Sequence, residues 1–304
     1  MRGNHNQRKG MYAIECKNLT HYYGKKLVYE NLNFTVEEGK ILGLLGKNGA
    51  GKSTTINILN GFLHPTAGEC LIYGENSQHL TPATKERIGF LIEGHIQYSF
   101  MNIHQIEKFY SGIYSRWNSE PYWELMSKLK VTPRQKISSM SCGQRSQVAL
   151  GLILAQDPDL LILDDFSMGL DPGYRRLFID YLRDYAKTNQ KTIFLTSHII
   201  QDMERLIDDV LIMDYNRILT QQPVNEFMKR FKQFVIRLKN PNADFPKNSL
   251  SLNIERTKDL VEFYTYGTLE ELKQFLSEHA VEYVSVEQQP LTLEDAFIGL
   301  TGKY

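Results

Sequence analysis

The sequence contains no long apolar run. None approaches the roughly 18 residues that a bilayer-spanning helix needs, and the opening stretch from Met1 to Gly10 has no apolar signal core. If a membrane is involved, another chain is expected to span it. An excess of one charge is also missing, since Lys plus Arg equals Asp plus Glu at 35 each. No global field argues for nucleic acid or an anionic surface, and no nucleic-acid partner is expected. Cysteine is scarce: Cys16, Cys70 and Cys142 are far apart in sequence, odd in number and form no C-x-x-C pair. That usage suits a reducing cytosol better than a disulfide framework. Internal repeats and low-complexity segments are absent as well.

What the chain does have is length and a glycine-rich stretch. Its 304 residues suffice for one large domain plus a small one, or for two medium ones. The stretch Gly46-Lys47-Asn48-Gly49-Ala50-Gly51-Lys52-Ser53-Thr54 joins the apolar run Ile41 to Leu45 to a segment that reads as a helix from Thr54 to Phe62. Strand, glycine loop and helix in that order suit phosphate binding. Phosphate oxygens need N–H groups unobstructed by Cβ atoms, a positive helix N-terminus, one long cation and a hydroxyl for a metal. Gly46, Gly49 and Gly51 allow the approach, Lys52 reaches the β- and γ-phosphates, and Ser53 holds Mg²⁺.

Before the loop, Tyr12 to Cys16 and Leu27 to Val36 alternate as antiparallel strands do. Between them lies Tyr23, either a base-stacking aromatic or a strand-end core tyrosine. After the loop come a short strand over Cys70 to Tyr73 and an apolar run from Arg87 to Ile92. From His95 to about Lys130 aromatics gather among helix formers, including both tryptophans, Trp117 and Trp123. That stretch is the core of a helical subdomain, an aromatic partner surface, or both.

Ser141 sits where an N-cap belongs, ahead of an apolar helix that Asp157-Pro158 stops. Leu160 to Leu163 then reads as a parallel strand buried on both faces, delivering Asp164 and Asp165 at its C-terminal end. A helix follows from Arg175 to Lys187, and the buried strand Thr192 to Thr196 ends at Ser197-His198. Val210 to Met213 and Arg217 to Leu219 suggest a closing hairpin. Beyond Gln221-Gln222-Pro223 the pattern is helix Val224 to Phe231, strand Phe234 to Leu238, a polar stretch, strand Leu260 to Tyr264, a helix, strand Val281 to Val286 and a last helix. Thr268 with Glu271 and Thr292 with Asp295 have capping-box spacing.

The ordered set of P-loop, Ser-x-Gly-Gln element, apolar strand ending in two acids, Leu170-Asp171 and Ser197-His198 resembles the nucleotide-binding subunit of an ABC transporter over about residues 12 to 220. The C-terminal stretch Pro290 to Phe297 and Leu300-Thr301-Gly302 resembles the ABC-2-type exporter subfamily. The implied fold is α/β, a P-loop ABC ATPase with a mixed core sheet, an antiparallel β subdomain and a helical subdomain at about 94–157, plus a small C-terminal α+β domain. The implied boundaries are a leader at 1–11, the ATPase at 12–222 and the accessory domain at 223–304.

The resemblance implies that Tyr23 stacks on adenine and that Gly46, Lys47, Asn48, Gly49, Ala50, Gly51, Lys52, Ser53 and Thr54 form the Walker A loop. Ser141, Gly143 and Gln144 belong to the signature that caps the γ-phosphate of an opposite subunit. Asp164 is the Walker B metal aspartate, Asp171 belongs to the D-loop and His198 is the switch histidine. Asp164, Ser53 and Glu93 are the metal set, with Asp165, His198 and Lys52 catalytic. ATP and Mg²⁺ are the implied ligands. The implied partners are a second ATP-binding subunit, identical or not, and integral membrane permease subunits, at the cytoplasmic face of the cell membrane.

Three positions depart from the family pattern. Glu93 stands at the Q-loop glutamine, Cys142 replaces the first signature glycine, and Asp165 replaces the glutamate that acts as base on the attacking water. Asp165 keeps the carboxylate and retracts it by one methylene, so slow hydrolysis is expected. Two other readings stand beside the transporter: a nucleotide-gated switch outside transport, and a pseudo-ATPase that binds without hydrolysis.

Overall fold

Alternating apolar positions and continuous apolar runs separate the strands into two kinds. The computed structural model describes residues 12–91, 98–128, 132–165, 170–242, 245–246 and 250–302. In chain order the elements are β1 (Tyr12–Tyr23), β2 (Lys26–Glu37), β3 (Ile41–Gly46), α1 (Lys52–Leu59), β4 (Ala67–Ile72), β5 (Glu75–Asn76), α2 (Pro82–Lys85), β6 (Ile88–Leu91), α3 (Ile103–Ser111) and α4 (Ser119–Lys128). There follow α5 (Cys142–Ala155), β7 (Leu160–Leu163), α6 (Pro172–Thr188), β8 (Thr192–Thr196), α7 (Ile200–Leu206), β9 (Asp209–Asp214) and β10 (Arg217–Pro223). The last are α8 (Val224–Arg230), β11 (Lys232–Leu238), β12 (Asn253–Thr257), β13 (Leu260–Thr265), α9 (Leu269–Glu278), β14 (Tyr283–Gln289) and α10 (Leu293–Thr301). Two compact units result, Met1–Gln221 and Gln222–Tyr304.

In the first unit the alternating strands form an antiparallel sheet in the order β2-β1-β4-β5. The continuous runs form a second sheet, β10-β9-β3-β8-β7-β6, whose strands β9, β3, β8, β7 and β6 pair in parallel. The strands β3, β7 and β8 are buried along their length, apart from the half-buried Gly46, as a sheet covered on both faces requires. Their C-terminal ends share one edge. Leu163 is paired with Leu195 beside it, and Leu44 with Thr196, so residues just past β3, β7 and β8 are brought together.

Several boundaries differ from the sequence reading, each for a local reason. The first helix begins at Lys52 rather than Thr54 and ends at Leu59 rather than Phe62, because the Asn60 N–H closes the last turn onto Ile56 and Ile58 and Gly61 turns left-handed at φ 71°. The helix expected from Arg175 starts at Pro172, since the Asp171 side chain accepts from the Gly173 and Tyr174 N–H groups and proline suits the first turn. Cys16 and Cys70, far apart in sequence, face each other across β1 and β4 with Sγ atoms 2.6 Å apart. Both are buried free thiols, and burial pushes the Cys16 thiol well up, so neither is a ready nucleophile.

The aromatic stretch has both buried and exposed members. Tyr122 is fully buried and donates to the Ile103 carbonyl at 2.7 Å, while Trp117 Nε1 lies 3.0 Å from both Glu107 and Ser119. Tyr98, Phe100 and Phe109 are exposed and contact one another edge-on.

The second unit is an antiparallel sheet, β12-β13-β11-β14, whose core also takes Leu272, Phe275 and Leu276 from α9. Both capping boxes form, Thr268 with Glu271 and Thr292 with Asp295. The strand β12 was read as polar loop. It is an edge strand, Asn-Ile-Glu-Arg-Thr, in which Ile254 pairs with Phe263 and Lys258 makes the turn at φ 56°.

Candidate active site

The loop after β3 is shaped by two left-handed glycines, Gly49 at φ 84° and Gly51 at φ 99°. Gly51 has no room for a larger residue, because a Cβ there would lie 2.7 Å from two Tyr29 ring carbons and 2.8 Å from Val28. Ala50 N–H donates to the Lys47 carbonyl at 3.1 Å, closing the turn, and both residues are buried. Gly51 is the N-cap of helix α1 and offers no side-chain cap. The first N–H groups of the helix are left to face the loop, the arrangement that binds anions. Lys52 Nζ donates to the Gly46 carbonyl at 2.7 Å and the Lys47 carbonyl at 3.2 Å, laying the ammonium across the loop. Burial lowers the pKa of Lys52, and the carboxylates of Asp164 and Asp165 oppose that shift.

The strand ends supply the acids. Asp164 follows β7 and its Oδ1 accepts from Thr196 Oγ1 at 2.6 Å. Asp165 is only 7% exposed and takes a left-handed backbone at φ 45°. Its N–H donates to Thr196 Oγ1 at 3.0 Å, and its Oδ1 accepts the His198 N–H at 3.2 Å. Asp165 Oδ2 is buried with no hydrogen-bond partner among the described residues; His198 Nε2 lies 3.5 Å away, beyond good bonding range. The His198 side chain is 59% exposed, free to turn toward a ligand.

These groups line one cavity of about 250 Å³. Its walls include Tyr23, Asn48, Gly49, Gly51, Lys52, Ser53, Thr54, Asp164, Asp165, Thr196 and His198. Tyr23 stands at the rim, 51% exposed, its hydroxyl 3.3 Å from Thr54 Oγ1 and its ring 4.8 Å from buried His21 in an edge contact. The hydroxyl of Ser53 and the carboxylates of Asp164 and Asp165 are hard oxygen donors. Mg²⁺ uses one or two such protein ligands together with phosphate oxygens and water, so the donor set fits it.

Ser141, Gly143, Gln144 and Asp171 do not line this cavity. Ser141 caps α5 in a reciprocal box, its Oγ accepting from Gln144 N at 3.2 Å while Gln144 Oε1 accepts from Ser141 N at 3.0 Å, next to the buried Gly143. Asp171 caps α6. Glu93, the third expected metal ligand, lies outside the described residues. Thr196 was missed by the sequence reading. A threonine ending a buried strand reads as a β-former, and only its place one strand from the two acids gives it a second role.

A family model described as ABC transporter matches residues 29–167. The bacitracin transport ATP-binding protein of Enterococcus faecalis is 30% identical over 227 residues, which cover 73% of each chain. The Nod factor export ATP-binding protein I of Cupriavidus metallidurans is 28% identical over 296 residues, 95% of this chain and 97% of that protein, so the likeness extends through the C-terminal unit. Among solved structures, an ATP-binding subunit of an ABC transporter aligns with a TM-score of 0.62 at 23% identity, covering 71% of this chain and 92% of that one. That likeness is one of fold. The relatives named are transport and export subunits, which disfavours a role outside transport. The chain belongs to the ABC transporter family, as an ATP-binding, ATP-hydrolysing subunit.

Proposed function

We propose that this chain binds ATP in the cavity between the glycine loop and the ends of β7 and β8, and hydrolyses it with Asp165 as base. The observation that carries this reading is the buried Asp165 Oδ2, which has no hydrogen-bond partner among the described residues, in the cavity that Lys52 and Ser53 also line. A carboxylate oxygen with spare acceptor capacity can orient a water and take its proton. The open N-terminus of α1 and Lys52 hold the β- and γ-phosphates, Tyr23 stacks on the adenine, and Asn48 and Thr54 complete the loop. Ser53 and Asp164 would hold Mg²⁺, which would supply charge neutralisation to those phosphates. His198 turns onto the γ-phosphate, and its backbone N–H keeps Asp165 aimed.

The site is completed by a second ATP-binding subunit whose Ser141, Gly143 and Gln144 cap the γ-phosphate and whose Asp171 lies at the dimer seam. Closure and reopening of that dimer drive membrane permease subunits at the cytoplasmic face of the membrane, as in an ABC-2-type exporter. No helix among the described residues is long and apolar enough to cross a membrane, in keeping with separate permease chains. The test has two arms. Purified full chain should release phosphate from ATP, and Lys52→Ala should lower that rate by about 10²-fold or more, the scale of losing one preorganised charge stabiliser. Crosslinked membranes should yield an integral membrane protein with the wild-type chain. A chain without turnover, or one that captures no membrane protein, would contradict the respective arm.

A further inference from the structure

We infer that Thr196 is a positioning residue that spaces the metal-binding aspartate from the base, a proposal that rests on the hydrolytic reading of the cavity. Thr196 ends β8, the strand that lies between β3 of the glycine loop and β7 of the acids. It is 2% exposed, so its hydroxyl answers to protein groups.

That hydroxyl has one hydrogen and two neighbours. The Asp165 N–H donates into its oxygen at 3.0 Å, so the hydroxyl hydrogen goes to Asp164 Oδ1, at 2.6 Å. The short distance fits a charge-assisted bond to a carboxylate. One side chain thus grips Asp164 by its carboxylate and Asp165 by its backbone. The second grip matters because Asp165 sits at φ 45°, a conformation that a residue with a Cβ rarely adopts. Two contacts hold it there, the N–H on Thr196 and Oδ1 under the His198 N–H.

The spacing of the two acids follows from this grip. Asp164 and Asp165 are adjacent in sequence and would splay freely past the end of β7 if nothing joined them. Thr196 fixes one oxygen of Asp164 and turns the Asp165 carboxylate into the cavity, which compensates for the shorter arm of aspartate relative to glutamate. Valine has nearly the same shape and would fill the same space. It would leave a buried N–H without an acceptor and a carboxylate oxygen without its donor. Serine would keep both bonds and lose one methyl group.

The experiment compares purified full chain with Thr196→Val and Thr196→Ser. The first readout is the Mg²⁺ dependence of binding a fluorescent ATP analogue, which needs no turnover; the second is kcat and KM for ATP. Thr196→Val should raise the half-saturating Mg²⁺ concentration and lower kcat, each by about 10-fold to 100-fold, the usual effect of removing a group that orients a metal ligand. Its KM at saturating Mg²⁺ should stay within about threefold of wild type, and Thr196→Ser should recover both parameters to about that margin. Thermal unfolding without nucleotide separates a folding defect from a positioning one. Wild-type Mg²⁺ dependence and kcat in Thr196→Val would overturn the proposal, and so would a Thr196→Ser variant as impaired as Thr196→Val. If the wild-type chain binds the analogue but shows no turnover above Lys52→Ala, the hydrolytic reading fails, and the Mg²⁺ dependence of binding still decides the role of Thr196.

Discussion

One short strand carries acids at both ends, and their surroundings differ. Before β7, Asp159 accepts from Arg87 Nε at 2.7 Å and from Arg116 Nη2 and Nη1 at 2.8 and 3.2 Å. Burial works against its charge, yet the bonds from Arg116 and Arg87 prevail and hold its carboxyl at about 2. After the same strand, the Asp164 carboxylate accepts from the Thr196 hydroxyl, and Asp165 has one oxygen with no hydrogen-bond partner among the described residues. Only Leu160-Leu161-Ile162-Leu163 separates the two ends. A carboxylate whose lone pairs are filled by guanidinium groups ties elements together. One with spare acceptor capacity in a cavity is available to a metal or a water. Strand direction decides which is which, because the open edge of a parallel sheet lies at its C-terminal ends.

Exchanging the acids for amides breaks this comparison at either end. A large effect is expected from Asp164→Asn, which should lower phosphate release by about 10²-fold to 10³-fold with the unfolding temperature held or raised. Wild-type turnover in that variant would make Asp164 structural, like Asp159. The converse change, Asp159→Asn, should leave turnover within about threefold and destabilise the first unit by about 1–2 kcal/mol in urea unfolding. That figure is kept small because 32% of the Asp159 side chain is exposed and solvent screens its pairs. Loss of turnover without loss of stability would overturn the assignment.

Acid sharpens the same contrast. Asp159 titrates below its ordinary value of 3.8, so its contribution is present above that pH and is lost as pH falls through about 2. Wild type and Asp159→Asn should therefore differ in urea midpoint above pH 3.8 and converge toward pH 2. A constant gap would show that the arginine pairs are not its source.

A smaller effect is expected where two helix starts repeat the pattern of filled and open groups. Helix α1 has Gly51 as its N-cap and no side-chain cap, whereas α5 has Ser141 as its N-cap in a reciprocal box with Gln144. Ser141→Ala should cost about 1 kcal/mol locally, read as faster amide exchange at Gln144, with nucleotide binding by the isolated chain unchanged. Unchanged exchange would mean that the box contributes nothing to α5.

The glycine loop, the two strand-end acids and the Ser141 cap were legible in the sequence because each is a local pattern. The spacing from Gly46 to Thr54 marks the glycine loop, and Leu160 to Leu163 announces a buried strand by itself. What stayed hidden depends on partners far away in the chain. Asp159 precedes its strand like any loop acid, and its arginines lie 72 and 43 positions distant. Cys16 meets Cys70 only once β1 and β4 pair. Thr196 looks like a strand former until β8 is placed beside β7. The strand β12 escaped because an exposed edge strand needs only one apolar anchor, Ile254, so its sequence is that of a loop.

The central claim, that Asp165 serves the water despite its short arm, is tested most directly by ATP turnover of the purified full chain beside Asp165→Asn and Asp165→Glu. Asp165→Asn should bind the fluorescent ATP analogue as wild type does and release phosphate about 10²-fold to 10⁴-fold more slowly, while Asp165→Glu keeps or exceeds the wild-type rate. A wild type no faster than Asp165→Asn would contradict the account.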